Sequence, residues 1–252
     1  MKTEKVKFLN KKGLTLAGYL DLPDSGKPEA YAVFAHCFTC SKDLKAIANI
    51  DFSLAKEGIA SLRFDFTGIG ESEGDFPDSN YSDYLDDLIS SAGFLSSHYG
   101  APKILIGHSL GGCVAIESAK EIQSVKAIVT IGTPAEPSKL SAKLKRTKEK
   151  AEAEGIAEVE IGGIKYKFKK QFFDEIEKHR IEPYVKNLRK PILIMHSPVD
   201  NYTPIEDAGI LFGWAQFPKS FVSLDNTDHL MLNKTDAYYA GNVIASWVKK
   251  YI

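Results

Sequence analysis

The sequence predicts an α/β fold: a mostly parallel central sheet of about eight strands, helices on both faces, and a small insertion. Three observations carry that expectation. Short apolar runs of strand length recur at 31–36, 59–66, 103–106, 127–131 and 191–196. Longer stretches with helical apolar spacing separate several of them, the alternation expected of parallel strands joined by crossover helices. One strand, 103–106, runs directly into Gly107-His108-Ser109-Leu110-Gly111, a small-residue turn that opens a helix-like stretch.

Taken in order, residues 5–9 and 14–22 read as alternating strands around Asn10-Lys11-Lys12-Gly13, a hairpin-like opening. After a loop at 23–28 come strand 31–36, a helix over 41–57 stopped by Gly58, and strand 59–66 ending in the glycine-rich loop 67–74. Tyr84, Leu85, Leu88, Ala92 and Leu95 mark one face of a helix over 81–99, closed by Gly100. The turn at Ser109 leads into a helix to about residue 123, followed by strand 127–131. Residues 134–190 break the rhythm. Pro134 and Pro137 end the regular pattern, and 138–154 is a lysine- and glutamate-rich helix candidate whose charges read as a solvated face. Residues 159–161 and 164–168 flank Gly162-Gly163, a two-residue hairpin signal, and Phe172, Phe173 and Ile176 lie on a short helix. Strand 191–196, helix 205–217, strand 220–224 and helix 236–251 complete the chain. The expectation is one domain, 1–252, with 134–190 as a lid insertion between two sheet strands.

Bulk properties exclude several function classes. The 252 residues are 44% hydrophobic and 26% charged with a formal net charge of −1, which offers no electrostatic case for nucleic acid or an anionic membrane. No apolar stretch reaches bilayer length, and the first residues carry no apolar signal core. Three cysteines argue against a secreted disulfide framework and point to a reducing cytoplasm. Loop 67–74 lacks both the Walker lysine and the dinucleotide pattern, so no cofactor is expected. No metal is expected either, since Cys37 and Cys40 lack a second ligand pair.

The turn at 107–111 is G-x-S-x-G in strand–turn–helix context, where a strained serine is pushed out of the sheet as a nucleophile. The glycines let strand and helix approach closely. A serine nucleophile needs a base to take its proton and a carboxylate to orient the base. Asp200 follows strand 191–196 and His229 follows strand 220–224, giving the order Ser109, Asp200, His229, each past the carboxyl end of a strand. Asp207, Asp225 and Asp228 are alternative acids. His98 and His179 lie in charged helical stretches, and His36, His108 and His196 end strands and read as architectural. The oxyanion needs two donors. One is assigned to the Leu110 N–H at the first turn of the helix, the other to the Phe38 N–H in the loop after strand 31–36.

His36-Cys37-Phe38, the run from Arg63 through Ser72, Gly107 to Gly112, Asp200 and His229 together resemble the α/β-hydrolase superfamily over nearly the whole chain. The closer similarity is to its esterase-like branch of cinnamoyl and feruloyl esterases, which carry a small lid at the position of 134–190. The run from Phe34 to Asp43 resembles a bacterial hydrolase domain found fused to an OsmC-like domain, which implies a free-standing relative or an excised part. The family usually has His-Gly before the oxyanion donor, and Cys37 stands where that glycine would be. A positive φ there would strain a cysteine.

Cys37 and Cys40 also form C-x-x-C before a helix, which can be a redox pair, although the oxyanion loop already accounts for the position. Cys113 reads as a small buried hydrophobe. The resulting expectation is a cytoplasmic serine hydrolase of short-chain or aromatic-acyl esters, acting through an acyl-enzyme intermediate. Tyr166, Phe168, Phe172 and Phe173 either line an apolar acyl pocket or form the lid's own packing. The expected partner is a small-molecule ester, with no nucleic acid and no membrane; a homodimer, a thioester or peptide substrate, and a non-catalytic scaffold module remain open.

Overall fold

In the computed structural model, which describes residues 1–161 and 163–252, the chain opens with the hairpin β1 (Lys2–Leu9) and β2 (Thr15–Leu22). There follow β3 (Ala30–Ala35), α1 (Lys45–Lys56), β4 (Ile59–Phe64), α2 (Tyr81–His98), β5 (Ile104–His108), α3 (Leu110–Ser118) and β6 (Ala127–Ile131). The segment after β6 holds α4 (Ser138–Lys143), α5 (Lys145–Glu154), β7 (Ile156–Ile161), β8 (Ile164–Lys169), α6 (Lys170–Ile176) and α7 (Glu182–Lys186). The chain ends with β9 (Ile192–His196), α8 (Ile205–Trp214), β10 (Lys219–Ser223) and α9 (Lys234–Val248).

Eight strands form one sheet in the order β1-β2-β4-β3-β5-β6-β9-β10. The pairs β1–β2 and β2–β4 are antiparallel, and the remaining pairs are parallel. The central strands are apolar throughout because both of their faces are covered. Ala32, Phe34, Ile104, Ile106, Val129, Leu193 and Met195 pack with Ile47, Ile50 and Leu54 of α1 and Ile244 and Val248 of α9. Their strand neighbours Val33, Leu105, Ile128, Ile192 and Ile194 face the other way, toward Leu88 of α2, Val114 of α3 and Leu211 of α8. The two-residue period of a strand thus divides one apolar sequence between two cores.

Helix α2 starts at a reciprocal cap: Asn80 accepts from the Asp83 N–H, and the Asp83 carboxylate accepts from the Asn80 N–H. Between β6 and β9, strands β7 and β8 pair, among the described residues, only with each other, as an antiparallel two-stranded sheet. The pairing of Ile161 with Ile164 agrees with a two-residue turn, but Gly162 lies outside the described residues.

Several boundaries differ from expectation. The helix expected over 41–57 begins only at Lys45: residues 41–44 form a turn closed by the Leu44 N–H on the Ser41 carbonyl (3.1 Å), with the Lys42 N–H on the Asp65 carboxylate (2.7 Å). The helix after Ser109 ends at Ser118, ahead of the expected 123. The expected single helix over 138–154 is two, broken at Leu144, and α7 was not anticipated.

Loops at the carboxyl ends of β3, β5, β9 and β10 converge at one edge of the sheet. They carry Phe38, Ser109, Asp200 and His229.

Candidate active site

Ser109 stands between β5 and α3 with φ 55° and ψ −123°, a left-handed conformation that costs a non-glycine residue about 1–3 kcal/mol. Its N–H is anchored to the Ile131 carbonyl of β6 at 2.8 Å. The glycines around it are required by contact. A Cβ on Gly107 would lie 2.3 Å from the Gly111 oxygen, and one on Gly111 would lie 2.3 Å from the Ala35 oxygen.

His229 Nδ1 and Asp200 Oδ2 are 2.7 Å apart, with both side chains nearly buried. The other Asp200 oxygen accepts the Tyr202 and Thr203 N–H groups at 2.7 and 2.9 Å. Burial alone would push the Asp200 carboxyl up. The bond to His229 and the two amides outweigh it, so the group sits below its ordinary range and stays ionised at neutral pH.

The other candidate acids are engaged elsewhere. Asp207 pairs with Lys139, Asp225 accepts from Ser223, and Asp228 accepts from the Leu230 and Leu232 N–H groups. Gly132, at the end of β6, abuts both partners: a Cβ there would lie 3.2 Å from Asp200 Oδ2 and 3.5 Å from the His229 ring. His108, the residue before Ser109, bonds the His229 carbonyl through Nε2 at 2.7 Å, and the two rings are 5.0 Å apart. Ser109, Asp200 and His229 therefore converge around the ends of three adjacent strands, β5, β6 and β9. Among the described residues Ser109 Oγ makes no hydrogen bond to the His229 ring; catalytic bonds of this kind often tighten only with substrate bound.

Phe38 and Leu110 line one cavity of about 10 Å³, roughly the room of one water, together with Cys37 and Gly111. Leu110 is the first residue of α3, where N–H groups have no intrahelical acceptor. Cys37 and Cys40 are joined as a disulfide that brackets Phe38, with Cα atoms 5.2 Å apart. The expected strain falls elsewhere than anticipated: the left-handed residue of this loop is Thr39, with φ 60°, and Cys37 is free of it. Cys113 is a free thiol and buried, as expected.

A clamp that sequence reasoning missed holds the far end of this loop. Lys42, 1% exposed, pairs with Asp65 at 2.8 Å and with Glu71 at 2.7 Å, and the Glu71 N–H donates to the Asp65 carboxylate. Burial would lower the Lys42 ammonium, but these pairs outweigh it and hold it above its ordinary value. The signal lay in the run from Arg63 to Ser72, where Asp65 and Glu71 bracket a glycine-rich turn. His36 Nδ1 adds a bond to the Cys37 carbonyl at 2.7 Å. Burial pushes the His36 and His108 imidazoles down, His108 to about 3, so both are neutral. His98 and His179 turn elsewhere, to the Phe94 carbonyl and to Glu117.

Of the four aromatic residues assigned to a pocket, Phe168, Phe172 and Phe173 are at most 2% exposed and pack on one another edge-to-face or tilted. Phe38 packs on Phe168 and Phe172, and the Tyr166 hydroxyl donates to the Thr39 carbonyl at 3.0 Å. The arrangement fits the second expectation, internal packing of the segment. An open groove of about 620 Å³ runs past His229, between Tyr202 and Leu232. The Tyr202 ring lies 5.1 Å from that of His229. Among the described residues no cluster of histidine, cysteine or carboxylate side chains could hold a metal ion, and no helix is long and apolar enough to cross a membrane.

Sheet, elbow and converging loops together are those of an α/β-hydrolase of the esterase-like branch. A family model described as serine aminopeptidase, S33, matches residues 26–152, half of the chain, and the chain belongs to that family. The esterase domain of a Rhodothermus marinus protein is 42% identical, with 100% of this chain and 99% of that one covered at a TM-score of 0.80. Est1E from Butyrivibrio proteoclasticus, solved with ferulic acid bound, is 20% identical and shares the fold, covering 98% of this chain and 99% of its own at a TM-score of 0.79. Human mitochondrial palmitoyl-protein thioesterase ABHD10 is 26% identical over 204 residues, 78% of this chain and 64% of the human protein's length.

Proposed function

We propose that this chain hydrolyses carboxylic esters through an acyl-enzyme formed on Ser109, with His229 as base and Asp200 as its orienting acid. The single observation that carries the reading is the 2.7 Å His229–Asp200 bond formed beside the strained Ser109 elbow. Asp200 holds the proton on Nδ1, which leaves Nε2 free to take the Ser109 proton as Oγ attacks the carbonyl carbon. The carbonyl oxygen becomes the oxyanion, received by the Phe38 and Leu110 N–H groups. His229 then returns the proton to the leaving oxygen or sulfur, which departs along the groove past Tyr202. Water repeats the sequence to release the acid. The 134–190 segment acts as the lid.

Substrate size follows from the packing. The phenylalanines packed against Phe38 are closed together, which supports short acyl groups. The Rhodothermus relative's description as an esterase supports ester chemistry, and the ABHD10 name keeps long-chain thioesters in the comparison. With p-nitrophenyl acetate, butyrate and palmitate, a feruloyl ester and a palmitoyl thioester as substrates, kcat/KM for acetate and butyrate should exceed that for palmitate by at least about tenfold, the scale of a poorly accommodated chain. Preference for the palmitoyl thioester would replace the ester reading by a thioesterase.

The disulfide around Phe38 favours one addition, redox control of the same site. Reduction by dithiothreitol adds two electrons and two protons and opens the loop into two thiols. Turnover should then change, and the Cys37→Ser/Cys40→Ser variant should be indifferent to the reductant. Equal wild-type rates with and without it would exclude the control.

A further inference from the structure

Two strands, β5 and β9, end in a buried histidine that the proposed mechanism does not use, and these two, His108 and His196, share one chemistry. His108 Nε2 lies 2.7 Å from the carbonyl of His229, and His196 Nε2 lies 2.8 Å from the carbonyl of Thr203. A carbonyl oxygen only accepts, so in both rings Nε2 carries the proton and donates. Nδ1 is then a bare acceptor, and in both rings it is buried with no hydrogen-bond partner among the described residues. Leaving a buried acceptor unpaired is unfavourable. An apolar side chain would fill the site without that loss, so what the imidazoles add at these positions is the Nε2–H donor.

The two acceptors lie on the catalytic loops themselves. His108 grips the backbone of the proposed base. His196 grips Thr203, whose own N–H holds Asp200 Oδ1 at 2.9 Å, and its ring nitrogen lies 3.9 Å from Asp200 Oδ2. The histidines end β5 and β9, on either side of β6 and of Gly132, against which Asp200 and His229 pack. We infer that His108 and His196 are positioning residues, neutral imidazole braces that lock the base loop and the acid loop in mutual register. They touch neither substrate nor Ser109 Oγ, and act by keeping His229 Nε2 aimed while Nδ1 stays on Asp200.

The inference rests on the functional reading above, and its test separates the two. Wild-type protein is first labelled with a fluorophosphonate: no labelling of folded protein defeats the functional reading itself. With labelling established, His108→Phe and His196→Phe should each lower kcat by about 100-fold, the scale of a small misplacement at a reacting centre. KM for p-nitrophenyl butyrate should stay within about twofold, since the braces act on orientation and not on ground-state binding. His108→Gln and His196→Gln carry an amide N–H out to the Nε2 position and should recover most of the lost kcat. Phenylalanine variants with wild-type kcat, or glutamine variants as slow as the phenylalanine ones, would overturn the assignment. If the phenylalanine variants fail to fold, glutamine is compared with asparagine, whose amide stops at the Nδ1 position. Asparagine should be the slower at each site, and equal rates would overturn the assignment equally.

Discussion

Ser109→Ala should abolish fluorophosphonate labelling and lower ester turnover by on the order of 10⁵–10⁶-fold, the loss expected when the nucleophile of a cooperating triad is removed. Alanine keeps the Cβ at φ 55° and therefore inherits the strain without adding any, so the variant should fold and melt as the wild type does. The oxyanion donors and the groove remain, which leaves a small residual rate above that of water. Labelling and circular dichroism on the same samples separate chemistry from folding. A variant that is still labelled, or that still turns over butyrate at the wild-type rate, would remove Ser109 from the mechanism. It would return the chain to the status of a binding module on a hydrolase fold.

Asp200→Asn should cost kcat about 10⁴-fold, with KM little changed. The cause is a proton in the wrong place. Asp200 Oδ2 accepts from His229 Nδ1 at 2.7 Å, and its other oxygen is saturated by the Tyr202 and Thr203 amides. Those two N–H donors force the asparagine carbonyl oxygen to stay where Oδ1 was. Its NH₂ group then faces His229 and demands a bare Nδ1, so Nε2 must carry the proton and can no longer act as base. Asp228→Asn provides the contrast. Asp228 lies one residue from the base, but its oxygens only accept the Leu230 and Leu232 amides, so kcat should change by no more than about threefold, as for a surface turn residue. Initial rates of p-nitrophenyl butyrate hydrolysis decide the matter, and the reverse ranking of the two variants would move the acid to Asp228.

How far the fold was legible depends on which interactions build each part. Strands β3 to β6 and β9 are buried on both faces, and their apolar runs mark them to within a residue or two. The start of α1 was not legible: residues 41–44 fold as a turn closed by the Leu44 N–H on the Ser41 carbonyl, with the Lys42 side chain held by a distant carboxylate, Asp65. The break at Leu144 likewise carries no glycine or proline, and only packing of the 134–190 segment divides α4 from α5. The candidates Ser109, Asp200 and His229 were picked from their place after strands, because a parallel sheet brings the loops at its carboxyl edge together. Which aspartate faces the histidine was open among four, since Asp200, Asp207, Asp225 and Asp228 all sit in that region of the chain.

The sequence by itself determined the sheet, the elbow, the order of the three candidate groups and a formal net charge of −1. All of these arise from local pattern: period, turn residues and position after a strand. Only the tertiary structure decided that Asp200 is the carboxylate that meets His229, that Thr39 and not Cys37 bears the left-handed backbone, that Cys37 bonds Cys40, and that the phenylalanines pack together. It also revealed the Lys42 clamp and the hydrogen bonds of His108 and His196. Each of these depends on groups that the chain path alone does not bring together, meeting within contact distance, about 3 Å where the contact is a hydrogen bond. No linear pattern encodes a distance that only the folded sheet creates.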